Sequence, residues 1–188
     1  MTCGIIAMGA SWGGIHALGV VLSGLRADLP APVVIAQHRG EEGPARLAEA
    51  LDRRTALRVV EATDKETLQP GHAYLAPPGY HLLVDRGTLS LSTDEPERFS
   101  RPSIDVLFES VAQTYAEEAV GVILTGASED GAAGLARIRR QGGVTVVQEP
   151  ATAARRTMPD AALAAAGAHR VLALDEIAAF LLKVCGDG

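Results

Sequence analysis

Apolar residues in this chain follow two rhythms. Residues 3–8 form an apolar run with no polar alternation, 33–37 and 120–125 are apolar up to a polar last residue, and 144–148 reads as a further strand, which together predict strands covered on both faces. Between them, apolar residues recur every three or four positions. Ile15, Leu18, Val21 and Leu22 form one such set, and Ile104, Leu107, Phe108, Val111 and Tyr115 another, each predicting an amphipathic helix. Further helices are expected at 44–54, from Gly131 to the Gly142-Gly143 pair, around 159–166 and from Asp175 onward, with further strands at 57–60 and 171–174. Pro102 suits the first turn of the Ile104 helix, with Ser100 or Arg101 ahead of it. Residues 72–91 read as short strands and turns compatible with a hairpin. Strands that alternate with helices predict an α/β fold: a doubly wound, mostly parallel sheet with helices on both faces, a three-layer α/β/α sandwich. No linker or shift in composition divides the chain, so residues 1–188 are expected to form one domain.

In such sheets ligands and chemistry collect beyond the carboxyl ends of the strands. Three of the best strands end on a polar group of interest: Ser11 in the turn Gly9-Ala10-Ser11-Trp12-Gly13-Gly14, His38 after Ala36-Gln37, and Asp130 in Gly126-Ala127-Ser128-Glu129-Asp130-Gly131. A hydroxyl becomes a useful nucleophile when an imidazole takes its proton, and the imidazole needs a carboxylate to fix its tautomer. Backbone amides at the helix start after Ser11 would suit an oxyanion. Each residue also has a plainer reading. Ser11 would cap the helix that follows it, Asp130 would cap the helix starting near Gly131, and His38 would be a hydrogen-bonded structural histidine.

Two motif look-alikes fail. Gly9-Ala10-Ser11-Trp12-Gly13 fits the G-x-S-x-G pattern, and Ser11, Asp130 and His169 run in the order of an α/β-hydrolase, but His169 precedes the 171–174 strand and belongs to the opposite sheet edge. A dinucleotide fingerprint would need a glycine at Ser11 and an acidic residue where His38 stands. The only lysines, Lys65 and Lys183, exclude a phosphate-binding Walker lysine. His16, His72 and His81 show no metal-ligand spacing and read as structural or rim residues. Trp12 either lines the mouth of the pocket or packs on the first helix.

Composition narrows the classes. The 188 residues are 47% hydrophobic and 21% charged, enough for a sizeable core, and the net charge of −6 gives no general attraction to nucleic acid or anionic lipid. No apolar run approaches the roughly 18 residues of a membrane span. Cys3 and Cys185 have no metal-ligand spacing and nothing ahead of Cys3 resembles a signal peptide, so the expected setting is the reducing cytoplasm.

Several segments together resemble a known family. These are 9–18 (Gly-Ala-Ser-Trp-Gly-Gly-Ile-His-Ala-Leu), 36–38 (Ala-Gln-His), 73–81 (Ala-Tyr-Leu-Ala-Pro-Pro-Gly-Tyr-His), 101–108 (Arg-Pro-Ser-Ile-Asp-Val-Leu-Phe), 124–135 (Leu-Thr-Gly-Ala-Ser-Glu-Asp-Gly-Ala-Ala-Gly-Leu) and Met158-Pro159. In that order, over nearly the whole chain, they are similar to the catalytic domain of the CheB chemotaxis protein-glutamate methylesterases. The resemblance implies a cytoplasmic serine hydrolase that removes methyl esters from glutamates of chemoreceptors and in some members deamidates glutamine, with no metal or organic cofactor. It puts the family's serine, histidine and aspartate on Ser11, His38 and Asp130. Trp12 stands where the family often has Thr, and Ala127 where it often has Met in the turn before the aspartate. The receiver domain common in the family has no counterpart in these residues, which implies a stand-alone catalytic domain. Those departures leave one rival, a non-catalytic chemosensory interaction module that keeps the fold.

Overall fold

The structure is a computed structural model, and it describes residues 3–39 and 46–186. In chain order the elements are β1 (Ile5–Ala10), α1 (Gly14–Ser23), β2 (Val33–Gln37), α2 (Leu47–Asp52), β3 (Arg58–Glu61), β4 (His72–Leu75), β5 (His81–Asp85), β6 (Thr88–Ser92), α3 (Ile104–Tyr115), β7 (Ala119–Ile123), α4 (Ala132–Arg140), β8 (Val144–Gln148), α5 (Thr157–Ala166), β9 (Arg170–Leu172) and α6 (Ile177–Cys185). Seven strands form one parallel sheet in the order β3-β4-β2-β1-β7-β8-β9. The fold is therefore the expected three-layer α/β/α sandwich. Chain direction across the sheet reverses between β1 and β7, which makes the gap beyond their carboxyl ends the natural crevice.

Both faces of β1 are buried, as its unbroken apolar run requires. Ile6, Met8 and Ala10 face the layer that holds Leu18, Leu51 and Leu181 from α1, α2 and α6, whereas Ile5 and Ala7 face Phe108, Leu135 and Ala162 from α3, α4 and α5. The 72–91 stretch divides: β4 enters the main sheet between β3 and β2, and β5 with β6 forms a separate antiparallel hairpin. Among the described residues, no helix is long and apolar enough to cross a membrane.

Boundaries differ from the expected ones in physically simple ways. The helix expected at 44–54 is described only from Leu47 to Asp52, and Pro44 lies outside the described residues. The helix near Pro102 begins at Ile104, because the Ser103 hydroxyl takes the capping position and accepts from the Val106 amide at 3.3 Å. Cys3 and Cys185 are joined in a disulfide, S–S 2.10 Å, which ties the start of the central strand to the end of α6. Nothing in their spacing, 182 residues apart, suggests that pairing in the sequence, and the bond stands against the expected pair of reduced thiols.

Candidate active site

Ser11 leaves β1 in a turn held from three sides. Its amide donates to Thr125 O at 3.0 Å, and its carbonyl accepts from the Gly14 amide at 2.8 Å and from Gln37 Nε2 at 2.9 Å. The turn needs Gly13 at φ 77°, where a side chain would be strained and a Cβ would lie 2.6 Å from the Ala154 Cβ. Gly13 is also the residue that caps α1, which receives no side-chain cap. Ser11 is therefore not a helix cap, and its hydroxyl has no hydrogen-bond partner among the described residues.

His38 sits one residue past β2, where its amide donates to Ala10 O at 2.9 Å and locks it beside the end of β1. Its Nε2 meets Asp130 Oδ2 at 2.6 Å. That contact occupies one ring nitrogen and leaves Nδ1 for another partner.

Asp130 is fully buried and does not cap the helix that follows it; Gly131 is the cap residue of α4, again with no side-chain cap. Its carboxylate instead gathers donors from the start of α3. Oδ1 accepts from the Ser103 hydroxyl and the Asp105 amide, both at 2.9 Å, while Oδ2 accepts from the Ile104 amide at 2.7 Å and faces His38. The expected cap thus turns into an anion seated on the amino terminus of a different helix, 12 residues long, whose dipole favours negative charge. Burial pushes the Asp130 carboxyl up, but donation from His38 and from the Ile104 and Asp105 amides outweighs it and holds the group below its ordinary value. Asp105, one helical step on, goes the other way. Burial raises it to about 6 and the Asp130 charge adds to that, against the pull of the Gly134 amide and Arg98.

Several supporting residues were not read as part of the site from the sequence. Ser103 is one, and His81 is another: Nδ1 of this buried ring accepts from the Ser103 amide at 3.2 Å, which leaves Nε2 to donate to Glu95 O at 3.1 Å and fixes one neutral tautomer. Thr125 is a third, its hydroxyl donating to Trp12 O at 3.0 Å and accepting from the Arg155 amide at 2.9 Å, so that the turns after β1, β7 and β8 are knitted together. A glutamine at the end of a buried strand is one signal of such a brace. Gln37 braces the Ser11 and His38 carbonyls, and Gln148 accepts from the Thr125 amide at 2.9 Å.

Ser11 and His38 open on one cavity of about 510 Å³, bordered also by Trp12, Gly13, Ala127 and Ser128. The Trp12 and Ala127 amides have no partner among the described residues. Trp12 does not pack on the first helix; it is 64% exposed at the cavity mouth, with the Arg155 guanidinium 5.6 Å from its ring centre. His169 lies at the opposite sheet edge, where its Nδ1 accepts from the Thr145 amide at 3.1 Å at the start of β8, as the rejection of the α/β-hydrolase order requires. Among the described residues no group of His, Cys, Asp and Glu could hold a metal ion.

Comparison with known proteins identifies the family and the fold. The family model described as CheB methylesterase matches residues 6–181. A putative protein-glutamate methylesterase/protein-glutamine glutaminase of Leptospira interrogans is 42% identical over 180 residues, 95% of this chain and 93% of that protein. A protein-glutamate methylesterase/protein-glutamine glutaminase of Xanthomonas euvesicatoria is 43% identical over 184 residues, of which this chain spans 51% of the length. The crystal structure of the Thermotoga maritima CheB methylesterase catalytic domain superposes with a TM-score of 0.92 at 29% identity, covering 98% of this chain and 100% of that one. With the family model matching residues 6–181 and the fold superposing over nearly the whole chain, the chain belongs to the CheB methylesterase family.

Proposed function

We propose that this protein is a serine carboxyl-ester hydrolase that removes methyl esters from glutamate side chains of a chemoreceptor. The observation that carries the reading is the locking of His38 Nε2 onto buried Asp130 while the ring and the unpartnered Ser11 hydroxyl share one cavity. Ser11 Oγ attacks the ester carbonyl as His38 Nδ1 takes its proton. The Trp12 and Ala127 amides stabilise the oxyanion, and for that role the backbone suffices whatever the side chain. Methanol leaves with the proton from His38. A water then attacks the acyl-Ser11, giving its proton back through His38 and releasing the free γ-carboxylate. Asp130 stays ionised throughout and stabilises the imidazolium. The same acyl step on a glutamine amide would release ammonia, as the names of the Leptospira and Xanthomonas relatives include.

The test is methanol release from a methylated receptor fragment by the parent and by Ser11→Ala. Release by the parent alone supports the reading. No release, with Ser11 unlabelled by a fluorophosphonate, would leave the interaction module in its place. A cytoplasmic location belongs to this reading and implies that the Cys3–Cys185 pair is reduced in cells. Alkylation at the moment of lysis should then label both thiols, and recovery of the unlabelled disulfide would argue for another compartment.

A further inference from the structure

His38 also borders a second cavity, about 430 Å³, on a wall formed with Arg39, Gly79, Phe99, Arg101 and Pro102. Three buried side-chain nitrogen or oxygen atoms have no hydrogen-bond partner among the described residues, and two of them are Nε of Arg39 and Nε of Arg101, two residues that line this cavity. Buried polar atoms are nearly always paired, so two orphaned guanidinium donors on one wall mark a place where an acceptor is missing. The rest of each guanidinium is fixed. Arg39, with its side chain 5% exposed, donates through Nη2 to Glu61 Oε1 and to Ala76 O at 3.0 Å. Arg101 donates through Nη1 to Thr93 O at 2.8 Å and Asp94 O at 3.0 Å, and no carboxylate of the described residues pairs with it. Arg39 is thus charge-balanced by Glu61, whereas Arg101 carries an unbalanced cation in a protein of net charge −6.

We propose that this cavity is an anion subsite that takes the carboxylate of an acidic side chain flanking the methylated glutamate. The inference rests on the hydrolase reading above. The reacting ester is neutral and gives a guanidinium nothing to select, so cations beside the catalytic histidine serve a neighbouring group. On Arg101, Nε and the unengaged Nη2 form the planar fork that a carboxylate accepts in bidentate fashion, whereas both Nη2 hydrogens of Arg39 are taken by Glu61 and Ala76 and Arg39 has Nε alone to give. Arg39 borders the Ser11 cavity as well as this one, so a substrate segment that places its ester at Ser11 runs its next turn past the two arginines. On a helical segment, that neighbour is a residue three or four positions away.

Two synthetic peptides test the subsite, each with one glutamate methyl ester, flanked three and four positions away by Glu in one and by Ala in the other. Alanine is used because glutamine would itself be open to deamidation. Methanol release should give a kcat/KM about tenfold higher for the Glu-flanked peptide, expressed in KM with kcat unchanged, as charge-assisted pairing predicts. Arg101→Gln should reduce that ratio toward one, and Arg101→Lys should restore part of it. In parallel, binding of both peptides to Ser11→Ala is measured by calorimetry, which needs no turnover. Equal kcat/KM for the two peptides in the parent, or equal binding to Ser11→Ala, overturns the subsite while the hydrolase reading stands. Tighter binding of the Glu-flanked peptide with no methanol released from either peptide supports the subsite and overturns the hydrolase. Should an arginine variant fail to fold, the comparison of the two peptides on the parent and on Ser11→Ala still decides.

Discussion

Asp130→Asn separates a helix cap from a structural anion more sharply than any other single change. If Asp130 simply capped α4, asparagine would replace it with little loss, since Asn caps nearly as well. The observed site does not allow that. Four donors converge on two oxygens: Ser103 Oγ and the Asp105 amide on Oδ1, and the Ile104 amide and His38 on Oδ2. An asparagine has one oxygen, and its amide nitrogen must occupy the other place. Where the nitrogen replaces Oδ1, the Ser103 hydroxyl can turn to accept from it, but the Asp105 N–H cannot. Where it replaces Oδ2, His38 can accept only in the wrong tautomer, and the Ile104 N–H cannot accept at all. Either orientation leaves one buried backbone N–H facing another N–H.

An orphaned buried donor costs about 1–3 kcal/mol, and the remaining hydrogen bonds lose the charge that strengthens them, so about 2–4 kcal/mol in total is expected. For a chain of this size that lowers Tm by roughly 5–15 °C. Turnover should fall by roughly 10⁴, the cost of the wrong imidazole tautomer in a triad. Thermal unfolding followed by circular dichroism, together with methanol release, reads both quantities. A Tm within about 2 °C of the parent would refute the reasoning, because it would mean that Asp130 does not hold the start of α3.

Ser11→Ala should melt with the parent, because its hydroxyl makes no hydrogen bond among the described residues, and should lose about 10⁶-fold in kcat; a few per cent of residual ester hydrolysis would rule out its nucleophilic role. His38→Gln should be inactive while His169→Gln keeps kcat/KM, and the reverse pattern would restore the α/β-hydrolase order. Glu129→Gln should leave rate and stability unchanged, since its side chain is 72% exposed and only 3.8 Å from Arg98. Stability against urea should carry the signature of Asp105. With its carboxyl raised to about 6 it binds more protons folded than unfolded between about pH 4 and 6, so it lowers stability as pH rises through that window. Asp130, held below its ordinary value, stabilises fully above about pH 4 and loses its contribution as pH falls through its folded value. The parent's urea midpoint should therefore decline relative to that of Asp105→Asn from pH 4 to 6, and parallel curves would show that burial does not raise Asp105.

The sheet was legible in the sequence because a strand buried on both faces leaves a largely apolar run, and β1, β2 and β7 each show one. The edge strands were harder to bound. β9 is partly exposed and only three residues long, so its start is set by pairing with β8 and not by its own pattern. The hairpin read at 72–91 is present as β5 and β6, but β4 is apolar enough to join the main sheet, where a glycine turn ends it as one would end a hairpin strand.

At the site, the three strand-end residues could be named from sequence because the parallel topology sends every strand's carboxyl end to one edge. What each of them touches could not. The plainer reading of Asp130 followed the chain to the next helix, since a cap is judged from residues within one turn. Its donors from Ser103, Ile104 and Asp105 lie 25 to 27 residues upstream, and they reach it because α3 packs directly on the central strand, with Ile104 so close over Gly9 that a Cβ there would lie 2.4 Å from it. That contact seats the first turn of α3 over the carboxyl end of β7, where its free amides need an acceptor and a buried carboxylate needs donors. Each demand answers the other. The aspartate is thereby kept ionised in a buried place and in line with one nitrogen of His38, an arrangement that local propensity does not encode and that the packing of a helix on a sheet creates.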